Sequence, residues 1–149
     1  MKSTLFNTVS ELEPRILLLL GSAKAPLGID QITVFDLVST FNKNYEIGET
    51  NLHGKNDSSS REISARRSLV KQALAGLIGK GYVELVFDAS GFFYVINDLG
   101  KNTISRFSDE YSREYRSACK KTLCKLGNVS ERDVVKAFSD LVRKEGNNG

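Results

Sequence analysis

Apolar positions recur along this chain at helical spacing, then at strand spacing, then at helical spacing again. From Val9 to about Ala23 the pattern reads as a helix. Thr8 or Ser10 can cap it, Ser10-Glu11-Leu12-Glu13 has capping-box spacing, and Ile16-Leu17-Leu18-Leu19-Leu20 is apolar all round, as in a helix covered on most sides. Pro14 is compatible with it only near the first turn. Gly21 and Ala25-Pro26-Leu27-Gly28 stop it. A second helix starts near Asp30, read as its N-cap, with Ile32, Phe35, Val38 and Phe41 as its apolar face. Residues 42–60 are polar and read as a long loop ending in Ser58-Ser59-Ser60, a length that marks a functional or a disordered segment. A third helix covers about Arg61 to Lys80, with Ile63, Val70, Ala73, Leu74, Leu77 and Ile78 at steps of three and four and Gly79 and Gly81 behind them.

The rhythm then changes. Tyr82-Val83-Glu84-Leu85-Val86-Phe87 is rich in β-branched and aromatic residues, Asp88-Ala89-Ser90-Gly91 is a turn, and Phe92 to Ile96 is the returning strand. Asn97-Asp98 caps a further helix with Ile104 and Phe107 as core contacts, and a longer one covers about Asp109 to Leu126. A last helix follows a Ser130 cap and carries the stripe Val134, Phe138, Leu141 and Val142, with Gly146 to Gly149 fraying. The fold expected is mainly α with a small β-hairpin: a winged helix-turn-helix-like domain over residues 1–97, including the loop 42–60, followed by C-terminal helices over 98–149 that pack on it. Its expected core includes Leu17, Leu20, Val70, Leu74, Leu77, Val83, Leu85 and Val95.

Composition narrows the function classes. The 149 residues suffice for one ordinary domain, 40% of them are hydrophobic, and the net charge of +3 is mild for a dedicated nucleic-acid binder. Carboxylates lead before residue 60, and cations lead after it. Cys119 and Cys124 stand five apart in a helical pattern and point apart, so they read as two free thiols of a cytoplasmic protein. The five-residue apolar run is far short of a membrane span. The one histidine, His53, lies in the polar loop, where such residues are usually inert. No phosphate loop, nucleophile elbow or metal motif is present, so no catalytic residue, cofactor site or metal site is assigned and an enzyme is not expected. Glu11/Glu13 and Asp109/Glu110 read as first-turn residues that complement helix dipoles.

The third helix holds the sharper question. Arg61, Arg66, Arg67 and Lys71 cluster where a winged helix reads DNA. With Val70 at the centre of the buried face and about 100° per residue, Arg66 and Arg67 flank the core stripe. The far face carries Arg61, Ser64, Ala65, Ser68, Gln72, Ala75 and Gly76. That face is small and short of the long donors that reach base edges. Three readings stand: a close-approach surface for a partner protein, a solvated face with its arginines paired to nearby carboxylates, and a DNA contact. The helix from Asp109 has an apolar line of Tyr111, Tyr115, Ala118, Thr122 and Leu126, and opposite it Arg113, Arg116 and Lys120. That basic stripe is either an ordinary solvated face or a contact for phosphate or a partner.

Leu5-Phe6-Asn7-Thr8 with Glu11-Leu12-Glu13 and the leucine-rich helix resembles the opening of the small middle components of bacterial ABC-three-component systems. Leu52-His53-Gly54, Arg61-Glu62, Ala65-Arg66-Arg67-Ser68-Leu69-Val70, then Ala73-Leu74 through Gly81-Tyr82-Val83-Glu84 and the hairpin around Gly91 are similar to the centre of that family. The resemblance spans about Leu5 to Phe107. It implies a non-enzymatic winged-helix adaptor of a Lamassu-type anti-phage and anti-plasmid complex, joining an SMC-like ABC ATPase to a toxic, often nuclease-like effector, with weak non-specific DNA contact at most and no membrane. It carries no catalytic residues over. The rival is a free-standing winged-helix transcription regulator, which sequence-selective DNA binding would favour and co-purification with a large ATPase would not.

Overall fold

The computed structural model describes residues 8–41 and 56–148. Among them are six helices and one two-stranded antiparallel hairpin: α1 (Val9–Ser22), α2 (Ile29–Thr40), α3 (Asn56–Gly79), β1 (Val83–Asp88), β2 (Gly91–Ile96), α4 (Asp98–Ile104), α5 (Glu110–Leu126) and α6 (Val134–Asn148). No helix among the described residues is long and apolar enough to cross a membrane.

The two N-terminal helices form the centre. Thr8 caps α1 by accepting from the Glu11 N–H, and Pro14 is accommodated in the second turn with its ring exposed. Ile16 to Leu20 are all buried. α2 goes further: every residue from Gln31 to Ser39 is buried, because α1, α3, α5 and α6 pack around it. The face read from Ile32, Phe35 and Val38 is thus only part of what α2 hides. Its N-cap is Gly28 rather than Asp30. The Gln31 side chain accepts from the Gly28 N–H at 2.8 Å, and the Glu131 carboxylate, a hundred residues on, accepts from the Asp30 and Gln31 N–H groups at 3.0 and 2.8 Å. A Cβ at 28 would stand 2.3 Å from the Glu131 carboxyl carbon, so any larger residue there would displace this cap. Asp30 is thereby left free to pair elsewhere.

α3 begins at Asn56, five residues inside the segment read as loop. Serines are indifferent helix formers, about 0.5 kcal/mol worse than alanine each, so they neither start nor forbid a helix. The remainder of that segment, 42–55 with His53, lies outside the described residues. The phase of α3 is as the periodicity gives it: Ile63, Val70, Ala73, Leu74 and Leu77 are buried, although Ile78 is exposed. The helix ends in a Schellman turn, with Tyr82 N–H to Leu77 C=O and Gly81 N–H to Ile78 C=O, and Gly81 takes the positive φ of 84° that this turn demands.

In the hairpin Val83 pairs with Ile96, Leu85 with Tyr94 and Phe87 with Phe92. Leu27, in the α1–α2 connection, bridges to Tyr94 through two backbone hydrogen bonds, so a third strand-like segment lies against β2 while β1 stays at the edge. Only the base of the hairpin is core. Val83 and Ile96 are buried, whereas Leu85 is 45% exposed and Val95 only half-buried. Leu85 and Val95 therefore do not belong to the core as the sequence suggested: Leu85 lies further out along the hairpin than Val83, and Val95, paired with the exposed Glu84, is on the opposite face from Val83 and Ile96.

Asn97 caps α4 by accepting from Gly100 N–H, and Asp109 caps α5 by accepting from Ser112 N–H. The buried line of α5 is Ser112, Tyr115, Cys119, Thr122 and Leu126, a slight rotation from the expected one: Cys119 replaces Ala118, and Tyr111 is half exposed. Val134, Phe138 and Val142 bury one face of α6. That helix continues to Asn148, through most of the tail expected to fray.

Candidate functional site

A small set of polar side chains lies inside: Arg15, Asp36, Arg66, Tyr115 and Cys119 are buried. Asp36, on α2, is fully buried and accepts from three side chains. Arg15 of α1 donates through Nε at 3.0 Å and Nη2 at 2.9 Å, Arg66 of α3 through Nη1 at 2.7 Å, and the Tyr115 hydroxyl of α5 at 2.6 Å. Burial pushes the Asp36 carboxyl up, but Arg15 and Arg66 with the hydrogen bonds from Arg15 and Tyr115 outweigh it and hold the carboxyl below its usual range. Burial and the neighbouring Asp36 push the Tyr115 phenol well up. Beside it the Cys119 thiol is pushed up to about 12 by burial, so it stays protonated and inert. Ser39 donates to Thr122 at 2.8 Å in the same layer, and no buried side-chain nitrogen or oxygen among the described residues lacks a partner. The cluster ties four helices together and offers no group to a substrate. Among the described residues no three His, Cys, Asp or Glu side chains converge as metal ligands.

Two of the arginines that made α3 look basic are thus paired. Arg66 is buried against Asp36, and Arg67 reaches Asp30 at 2.7 Å on the surface. Of the seven positions read as the outward face, Arg61, Ser64, Ala65, Ser68, Gln72 and Ala75 are exposed, together with Lys71, whereas Gly76 is half-buried. Ser64, Arg67, Ser68 and Lys71 line a shallow hollow of about 290 Å³. The phase follows from the 3.6-residue period applied to this one helix, whereas the acids that pair with its arginines come from α2.

The stripe on α5 divides. Arg113 is exposed, but its guanidinium donates to the Ser108 carbonyl. Arg116 is half-buried and donates to the Ile104 carbonyl at 3.3 Å. Lys120 is exposed and lines a larger cleft beside the α1–α2 connection. The three do not act as one row, because the first two brace the α4–α5 connection.

Sequence reasoning passed over the apolar tip of the hairpin. Phe87 and Phe92 are 73% and 63% exposed, with ring centroids 5.6 Å apart, and Leu85 and Val86 are exposed beside them. The signal was present: six strand residues with Glu84 as the only charge before the closing Asp88.

The described residues thus form a helical core whose buried charges are paired with one another, with small exposed residues on α3 and exposed apolar residues on the hairpin. The model of the ABC-three component (ABC-3C) system Middle Component 2 family matches residues 5–148, nearly the whole chain. The chain belongs to this family, and membership in a three-component system implies partner subunits. No curated protein and no solved structure matches the chain.

Proposed function

We propose that this protein is a non-enzymatic adaptor in a cytoplasmic, Lamassu-type ABC-three-component defence complex against phages and plasmids, linking an SMC-like ABC ATPase to a nuclease-like effector. The single observation that carries the reading is the outward face of α3. Ser64, Ala65, Ser68, Gln72 and Ala75 are all exposed and small or uncharged, while the central arginines are engaged by Asp36 and Asp30. A backbone or helix of a partner can approach such a face closely, whereas base edges need long free donors there.

The fold reading that goes with it is a winged helix. α1, the Leu27 bridge, α2, α3 and the hairpin follow in the order of that plan, with residues 98–149 as a helical extension. In this reading the wing projects apolar rings, which suits protein contact better than the phosphate backbone.

Ser68→Arg tests the role. Ser68 is exposed, so the change alters stability by no more than about 0.5 kcal/mol. At a packed interface the same side chain is an unpaired, partly desolvated charge and costs several kcal/mol. The variant is expected to melt like the parent, to lose its partner subunits on co-purification and to abolish defence. Normal assembly removes α3 as the docking face.

One observation favours the rival regulator reading. The hollow of Ser64, Arg67, Ser68 and Lys71 combines hydroxyls with cations as a phosphate contact does. Titration of the isolated chain with duplex DNA at near-physiological salt is expected to show weak binding with no sequence preference, and nanomolar, sequence-selective affinity would establish the regulator instead.

A further inference from the structure

A cleft apart from α3 sits between the α1–α2 connection and the C-terminal end of α5, with a volume of about 590 Å³. Its floor is apolar: Leu27 is buried, and Ala23 and Leu123 are half-buried. Its rim carries two exposed lysines from opposite walls, Lys24 and Lys120, and Cys124 stands one helical turn beyond Lys120. No carboxylate lines the cleft, and neither lysine is in an ion pair among the described residues.

The same connection walls a second hollow. Pro26, one residue before Leu27, meets Val86, Phe87 and Phe93 of the hairpin around about 310 Å³, with Asp88 at the tip side, so the acidic groups of an occupant belong at the lysine cleft and its apolar groups here. The two backbone hydrogen bonds between Leu27 and Tyr94, at 3.0 and 2.7 Å, tie the connection to β2, so the two hollows are held in fixed relation before anything binds. A preformed surface of this kind binds without first being ordered.

We propose that this surface seats an acidic, amphipathic segment of a partner subunit, its apolar side chains over Leu27, Leu123 and the hairpin and its carboxylates at Lys24 and Lys120. Charge complementarity selects the occupant: two lysines facing one cleft attract a carboxylate-bearing chain and repel a basic one. The apolar floor selects further. A nucleic-acid backbone carries the same charge but brings no aliphatic groups to cover Leu27 and Leu123. A small anion fills the cleft and leaves Phe87 and Phe92 bare, whereas contiguous exposed apolar surface of this kind marks a contact with another macromolecule. The proposal rests on the adaptor reading for the existence of the partner, and it concerns residues separate from the α3 face.

The cysteines provide the test. Of the two in the chain, Cys119 is buried and Cys124 is exposed on the cleft wall, so N-ethylmaleimide at neutral pH reports on Cys124. Alkylation is followed by intact mass in the full chain alone and in the complex purified with the other subunits of its system. Cys124 is expected to react about tenfold more slowly in the complex. The double variant Lys24→Glu/Lys120→Glu is expected to melt like the parent, to hold its partners more weakly and to regain the fast rate. An assembled complex with Cys124 reacting at the free rate overturns the proposal while leaving the adaptor reading in place. So does a double variant that keeps full protection, or protection of the isolated chain by a duplex oligonucleotide alone. A chain that retains no partner subunit overturns the adaptor reading itself, and this proposal with it.

Discussion

Asp36 and Phe87 are each on the wrong side of the usual partition. The acid is sealed in the middle of α2 and the phenylalanine stands at the hairpin tip, 73% exposed. Apolar groups on a surface and polar groups in a core are the informative exceptions in a globular protein. Here they are handled in opposite ways. Every lone pair Asp36 can offer meets a donor from α1, α3 or α5, so its region is closed within the chain. Among the described residues Phe87 has one ring neighbour, Phe92, itself exposed. The first region is what the chain completes by itself, and the second is what it leaves for something else to complete.

Breaking the closed region should have the largest effect. Asp36→Ala removes the carboxylate that the buried Arg15 and Arg66 guanidinium groups share and is expected to cost about 3–5 kcal/mol, read as a lower urea midpoint. The same group sets an acid limit. Its folded carboxyl is held below the unfolded value of about 3.9, so its stabilisation is present above that pH and is lost as pH falls through the folded value. A urea series is expected to show stability falling below about pH 4, and that acid slope should shrink in Asp36→Ala. A smaller effect is expected at the seam between the N- and C-terminal parts. Glu131→Ala leaves the Asp30 and Gln31 N–H groups without their cap and should destabilise by about 0.5–2 kcal/mol. The smallest change in stability belongs to the open region. Phe87→Ala is expected to shift the urea midpoint by no more than about 0.5 kcal/mol while weakening retention of partner subunits. A larger loss would place Phe87 in the core and erase the contrast with Asp36.

The closed region was half legible in the sequence. The 3.6-residue period put Arg66 and Arg67 on the flanks of the α3 stripe, which is where they pair with Asp36 and Asp30. Asp36 itself was passed over because one apolar face, Ile32, Phe35 and Val38, was enough to explain α2 as a surface helix. The missed clue was apolar residues on both sides of it in Val34-Phe35-Asp36-Leu37-Val38, as Arg15 abuts Ile16 to Leu20. The rest was not local information. Tyr115 and Glu131 reach α2 from 79 and about 100 residues away, and no spacing within α2 announces them. The hairpin failed in the opposite sense: composition gave its two strands but neither their facing nor how far they project, so Leu85 and Val95 were read as core.

The cap that Glu131 places on α2 has a consequence for how the chain is made. Synthesis runs from the N terminus, so Arg15, Asp36 and Arg66 leave the ribosome while the phenol of Tyr115 and the carboxylate of Glu131 are still to be added. For that interval the second helix carries a buried-type acid with one donor missing and two amide groups open at its start. The nascent N-terminal part is thus held in an unfinished state until Tyr115 and then Glu131 have been added. Final locking of the fold therefore follows synthesis of α5 and of Glu131, and a chain cut before Tyr115 should be removed by proteolysis rather than accumulate as a folded competitor.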